Sequence, residues 1–111
     1  VHENYKDMII KARDIDSRVT GRSTGHPVRA LRNQMTKEYL QKEQEGASFE
    51  ELELLTLGGL RKAVVEGDVK TGSVMAGQIA GMVKEKMSCH DLIQKLVKET
   101  DDLIGGKGFY E

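Results

Sequence analysis

Gly67-Asp68-Val69-Lys70-Thr71-Gly72-Ser73 places two glycines five apart, just ahead of a hydroxyl side chain. Phosphate-cradling loops use this spacing, with backbone N–H groups around the phosphate and a Lys behind the second glycine. Here Ser73 follows Gly72 directly and the Lys is missing. The preceding residues read as helix rather than strand, so a nucleoside-triphosphate loop is not supported. What remains is a run of N–H groups at a helix start, suited to an anion or a polar ring edge. A helix over 73–87 puts Ser73, Gly77 and Gly81 four apart on one face. Glycine costs about 1 kcal/mol against alanine inside a helix. The compensation expected is close backbone approach to another helix, a sheet or a ligand ring. Met75, Ile79, Met82 and Val83 form an apolar stripe beside that row. A plain, tightly packed core helix accounts for the same spacing.

Three further groups could carry chemistry. His26 lies beside Arg29, with Arg22 and Arg32 close in sequence. Neighbouring guanidiniums disfavour a charged imidazole, and the group could receive a phosphate-bearing partner. An exposed loop histidine among solvated arginines is the plainer account. Cys89-His90 is too little for zinc, which takes four ligands, and His2 and His26 have no zinc-like spacing to it. Cys89 near a helix start favours its thiolate. No base or oxyanion site accompanies it, so it reads as structural.

Composition bounds the rest. The 111 residues suffice for one small domain. With 38% hydrophobic and 5% aromatic residues, any core is modest and aliphatic. Charged residues reach 32% but the net charge is only -1, so the signs are mixed, which argues against nucleic acid as a partner. One cysteine excludes an internal disulfide framework and fits the cytoplasm. No apolar run approaches the roughly 18 residues a membrane span requires, and no signal-peptide pattern is visible. Val1-His2-Glu3-Asn4 lacks an initiator Met and reads as a start inside a longer protein.

The elements that would position these groups follow from capping and periodicity. Asn4 caps a short helix whose apolar side is Tyr5, Met8, Ile9 and Ala12, and which ends in the polar turn Arg13 to Asp16. Arg18 to Asn33 reads as a small β-hairpin, with Val28-Arg29-Ala30-Leu31-Arg32 alternating apolar and basic. A helix through Ala30 is also compatible. Thr36 caps a charged surface helix over 37–45, anchored by Tyr39 and Leu40. Ser48 and Ser88 open two capping boxes. Gly58-Gly59 interrupts the first resulting helix and Gly67 ends it. Leu92, Ile93, Leu96, Val97, Leu103 and Ile104 give the clearest helical period in the chain. Gly105-Gly106 ends that helix, and Lys107 to Glu111 reads as a loose tail. The fold class is mainly α with a short β-hairpin.

Two blocks carry a family resemblance. One is Ile10-Lys11-Ala12-Arg13-Asp14-Ile15-Asp16 with Gly25-His26-Pro27-Val28-Arg29-Ala30-Leu31-Arg32-Asn33. The other is Ala63-Val64-Val65-Glu66-Gly67-Asp68-Val69 with Gly72-Ser73-Val74-Met75-Ala76-Gly77-Gln78-Ile79-Ala80-Gly81. In this order they resemble the C-terminal part of the FMN-dependent enoyl-acyl-carrier-protein reductase II family, over roughly residues 3–104. That family sits within the wider nitronate monooxygenase (2-nitropropane dioxygenase-like) group.

The resemblance implies a C-terminal fragment of a TIM-barrel flavoenzyme that lacks most of the barrel. Such an enzyme reduces 2-enoyl thioesters with NAD(P)H through FMN in fatty-acid biosynthesis. It divides the chain into a last barrel-associated helix and turn (1–17), a small helical subdomain with the hairpin (18–66), a flavin-flanking loop and helix (67–87), and a C-terminal helix and tail (88–111). Ser73, Met75, Ala76, Gly77 and Gln78 would sit beside the FMN ring. His26 and Arg29 are the substrate-binding candidates. The family's catalytic His lies upstream, so it is not carried onto His2, His26 or His90, and no catalytic residue or metal ligand is assigned. The fragment alone is expected to be inactive, to hold no cofactor tightly, and to self-associate through its uncovered apolar side. An acyl-carrier-protein-bound substrate is the expected partner of the parent, with no nucleic acid or membrane. Two alternatives stand: a nitronate monooxygenase segment, and a non-catalytic helical module with Ser73, Gly77 and Gly81 as a dimer seam.

Overall fold

The alternation over residues 28–31 is realised as a strand because one side of it has a core to face. Strands β1 (Ser17–Thr20) and β2 (Val28–Leu31) pair antiparallel, with Ser17 opposite Leu31 and Thr20 opposite Val28. The computed structural model describes residues 1–105. The tail expected over Lys107 to Glu111, and the Gly106 half of the stop before it, lie outside the described residues.

Helix α1 (Glu3–Lys11) starts one residue pair earlier than its sequence signal suggested. His2, not Asn4, is the cap: its Nδ1 accepts from the Asn4 amide at 3.0 Å. The Asn4 side chain is thereby free to donate to the Gly67 carbonyl at 2.9 Å, tying α1 to a distant loop. Helix α2 (Gln34–Gln44) likewise begins before its expected start. Asn33 is its cap and Thr36 the third helical residue, the two exchanging side-chain and backbone hydrogen bonds in a capping box. The sequence pattern carries a strand through Asn33, which hides its role as a cap. Ser48 caps α3 (Phe49–Thr56) through the Glu51 amide, as its sequence box requires. A short helix α4 (Gly59–Arg61) widens into a π turn over Lys62–Glu66 and stops at Gly67, as expected. Helix α5 (Cys89–Ile104) is capped by Ser88 and closed by Gly105.

The expected helix over residues 73–87 does not form. Val74 to Ala76 instead run antiparallel to the free edge of β2. The Leu31 amide donates to the Val74 carbonyl at 2.8 Å, the Ala76 amide donates to the Arg29 carbonyl at 3.3 Å, and Ala30 bridges Met75. An unpaired strand edge is costly where it is buried, and two glycines weaken the competing helix. Only a 3-10 turn over Gln78–Met82 remains helical there. Ser73, Gly77 and Gly81 therefore share no helical face. Gly72 and Gly81 still serve close approach. An added Cβ would stand 2.4 Å from the Asp68 carbonyl oxygen at Gly72, and 2.7 Å from the Asp14 amide nitrogen at Gly81.

The main core is Tyr5, Ala12, Leu31, Ala63, Val74 and Ala80; a second cluster of Met35, Tyr39 and Leu52 joins α2 to α3. Asp16 ties the turn after α1 to the end of β2. It accepts the Arg13 amide at 2.8 Å and lies 2.8 Å from the Arg32 guanidinium. The Arg13 amide, then the Arg13 and Arg32 side chains, hold its carboxyl down at about 2. Lys86 bridges back to Glu3 and Asp7 on α1. The radius of gyration is 18.0 Å, against about 13 Å for a compact domain of this length. The excess comes with α5, which has no buried residue. Among the described residues no helix is long and apolar enough to cross a membrane.

Asn33 is the tightest crossing point of sequence signals. Besides capping α2, its amide donates to the carbonyls of Val69 and Gly72, each at 2.8 Å. Asn33→Ala removes a cap and two long-range hydrogen bonds and should destabilise by about 2–3 kcal/mol. Urea unfolding followed by circular dichroism checks this, and a loss within experimental error of zero would refute the role.

Candidate functional site

Pairing with β2 makes the Gly72 to Gly77 segment alternate like a strand. Val74 is fully buried, whereas Met75 is 42% exposed and Gly77 is exposed. Tyr5 fixes this segment from below: its hydroxyl donates to the Met75 carbonyl at 2.5 Å. Burial pushes the Tyr5 phenol above its ordinary value, so it stays a neutral donor across physiological pH. The Ser73 amide donates to the Gly59 carbonyl at 2.9 Å, and a Cβ on Gly59 would stand 2.6 Å from the Ser73 hydroxyl oxygen. The segment is thus gripped on both sides up to Met75.

Beyond Met75 the grip thins to the hydrogen bond from the Ala76 amide to the Arg29 carbonyl, and then ends. Gly77 is extended (φ -79°, ψ 175°) and an added Cβ there would meet no described atom within 4 Å. Gln78 and Ile79 are exposed as well. Gly77 is therefore a glycine that packing within the described residues does not require.

Above Ser73 and Met75 lies a groove of about 350 Å³. Its floor is Thr20, Val28 and Ala30 of the hairpin, its walls come from α2 and α3 (Met35, Tyr39, Phe49, Thr56), and His26 stands at its rim. The structure thus brings together Ser73, Met75 and His26. It does not bring Arg29 to them. Successive strand residues face opposite sides, and Val28 and Ala30 take the groove side. Arg29 points the other way and donates to the Ser17 hydroxyl at 2.8 Å. Ala76 faces the core side with Val74 and packs against it. Sequence reasoning passed over Thr20, Tyr39, Phe49 and Glu53 as lining residues. Nothing local marks them, since only the packing of α2 and α3 over the hairpin brings them to one place.

The loop that carries His26 is braced by Glu43 of α2. The Ser23 amide and hydroxyl donate to its carboxylate at 2.9 and 2.6 Å, and the Gly21 amide donates at 3.3 Å. Partial burial alone would raise the Glu43 carboxyl; these hydrogen bonds and Arg22 outweigh it and hold it below the ordinary value.

Comparison with known proteins gives the family. The family model for nitronate monooxygenase matches residues 1–99. The chain belongs to that family. Its structure is similar to part of FabK from Thermotoga maritima, with 38% identity and a TM-score of 0.85 over 94% of this chain and 33% of that one. A methionine-to-alanine variant of FabK from Thermotoga maritima matches at 34% identity and a TM-score of 0.72, over 94% of this chain and 29% of that one. The chain thus spans about a third of the FabK structures it matches. The mainly helical architecture with one hairpin corresponds to that portion of a TIM-barrel enzyme. No curated protein matches the chain.

The Glu43 brace predicts a pH dependence. A carboxyl depressed in the folded state contributes stability that is complete above its ordinary value of 4.5 and is lost as pH falls toward the depressed value. Amide exchange at Gly21 and Ser23 should therefore accelerate below pH 4.5 relative to the core. Glu43→Gln should give the faster exchange already at pH 7 and remove the pH dependence. Unchanged protection in that variant would show that the loop is held by other contacts.

Proposed function

We propose that this chain is the flavin-flanking and substrate-covering part of an FMN-dependent enoyl-acyl-carrier-protein reductase. The parent would reduce the double bond of a 2-enoyl thioester with NAD(P)H in fatty-acid biosynthesis. The observation that carries this reading is the likeness to FabK at 38% identity over 94% of the chain, which includes the Ser73 to Gln78 segment. Its single exposed cysteine suits a reducing cytoplasm.

The residues present fit one edge of a flavin. Gly77 leaves its Cβ direction empty, and its amide donates to no other described residue. Met75 offers an apolar, polarizable contact, and Ser73 and Gln78 offer hydrogen-bonding groups on either side of it. These are the groups that would hold the ring: Ser73, Met75, Gly77 and Gln78, with Ala76 backing the segment from the core. FMN, when bound, supplies hydride transfer between the nicotinamide and the enoyl carbon. The chain's own contribution is a rigid, small-residue wall against the ring and an apolar groove for the acyl portion. His26 at the groove rim is the remaining substrate-side candidate. Arg29 serves the substrate only indirectly, through the hairpin it braces.

The second reading, nitronate oxidation, is favoured by the name of the family model over residues 1–99. The full-length protein separates the two. NAD(P)H oxidation dependent on an enoyl thioester supports the reductase. Oxygen consumption with an alkyl nitronate, in the absence of that reduction, supports the oxygenase. The non-catalytic seam of Ser73, Gly77 and Gly81 loses its geometry, because those residues share no helix face. We further propose that the isolated chain is inactive and self-associates through Leu92, Ile93, Leu96 and Val97, all exposed on α5.

Gly77→Leu decides whether the open face is a ring contact. In the full-length protein it should lower FMN retention and turnover by at least about ten-fold. Its thermal unfolding should barely change, since the new side chain enters empty space. Full FMN occupancy and activity in this variant would overturn the assignment of the segment to the flavin.

A further inference from the structure

A second depression, of about 460 Å³, lies on the other flank of α2 from the groove. It is lined by Arg18, Arg32 and Lys37 together with Asn33, Thr36 and Leu40, and no acidic side chain lines it. The neutral polar pair is already satisfied, because Asn33 and Thr36 hydrogen-bond each other in the α2 cap. What remains unpaired is the Lys37 ammonium and part of the Arg18 and Arg32 guanidiniums.

Each cation is held in a different way. Arg18 donates from one terminal nitrogen to the carbonyls of Ile15 and Ser17, at 2.5 and 2.9 Å. Its other guanidinium N–H groups have no partner among the described residues. Arg32 uses its Nε and one terminal nitrogen on Asp16, which leaves the other terminal nitrogen. Lys37 has no ion pair or side-chain hydrogen bond among the described residues. Anchoring a guanidinium on one side reduces the entropy lost when its free side takes an anion. A planar fork and a point charge around one hollow suit an esterified phosphate, whose two non-bridging oxygens and permanent negative charge can be shared between them.

The position is informative. Arg18 and Thr20 lie on the same face of β1, two residues apart, about 7 Å along the strand. Thr20 lines the groove and Arg18 lines the basic depression. The two hollows are therefore neighbours on one face of the hairpin, flanking α2.

We propose that the Arg18–Arg32–Lys37 depression binds a phosphate group on the handle of the thioester substrate whose acyl end occupies the adjacent groove. The inference rests on the reductase reading and deepens it. The chemistry recognised is a phosphate ester joined to a pantetheine-type thioester. It reaches the enzyme either on a carrier protein or on a nucleotide coenzyme such as coenzyme A.

The test uses the full-length, FMN-loaded protein with Lys37→Glu and, separately, Arg18→Gln. Crotonyl-coenzyme A, a crotonyl carrier-protein thioester and the phosphate-free crotonyl N-acetylcysteamine thioester are the substrates. Each variant should raise KM for a phosphate-bearing substrate about ten-fold with kcat retained, and leave KM for the phosphate-free thioester unchanged. An equal rise for both phosphate-bearing thioesters places the handle's own phosphate in the depression. A rise for coenzyme A alone places the nucleotide's phosphate there. An unchanged KM for both, or an equal rise on the phosphate-free substrate, overturns the proposal. If no enoyl thioester is reduced by the parental protein, the reductase reading fails by itself. Calorimetric titration with coenzyme A then still decides the depression: about ten-fold weaker binding by Lys37→Glu supports it, and equal binding overturns it.

Discussion

The free edge of β2 governs this structure. A two-stranded hairpin is marginal alone, and the backbone groups of Arg29 and Leu31 would face the interior without partners. Val74 and Ala76 supply those partners at 2.8 and 3.3 Å. With that pairing in place, Val74 enters the core beside Leu31 and Ala63. Gly72 comes close enough to the Asp68 carbonyl to forbid a side chain, and the Tyr5 hydroxyl finds the Met75 carbonyl. The same alternation that buries Val74 turns Met75 outward. Core formation and the presentation of the candidate ring contact are consequently one event, not two.

The grip on the segment is graded along its length. It is strongest at Ser73 to Met75, where Gly59, β2 and Tyr5 all hold backbone groups. It is absent at Gly77, which faces open space, and it resumes at Gly81, whose backbone touches the turn at Asp14. A wall built this way is fixed at both ends and bare in the middle. That is the arrangement a flat ligand needs if it is to approach backbone without displacing structure. The neighbouring groove is built differently, from helices α2 and α3 laid over the hairpin, with the loop of His26 pinned by Glu43.

Local signals were legible where the partner lay nearby in sequence. The serine caps at Ser48 and Ser88 and the stops at Gly67 and Gly105 are each decided within a few residues, and the structure contains them, without the return bond that would complete either capping box. The hairpin alternation was legible too. Read to its end, Val28-Arg29-Ala30 already separates Arg29 from the side that Val28 and Ala30 take. The segment 73–87 was misread because its deciding partner, β2, lies more than forty residues upstream. Met75, Ile79, Met82 and Val83 fit a helical period by themselves, and only the unpaired edge of β2 tips the balance to an extended chain. The start of α2 failed for a related reason: the expected strand runs on through Asn33, whereas β2 stops at Leu31 and Asn33 caps the helix. The family was legible from the Ser-Val-Met-Ala-Gly-Gln block itself, even though that block is extended rather than helical.

We propose that a flavin ring lies against the bare middle of the segment. Hydrogen exchange on the full-length protein, measured with FMN bound and after its removal, tests this most directly. FMN should strongly slow exchange at Gly77 and Gln78, while the amides of Leu31 and Ala76, already paired in the sheet, change little. Exchange at Gly77 and Gln78 that is indifferent to FMN, with protection appearing only elsewhere in the parent, would contradict it.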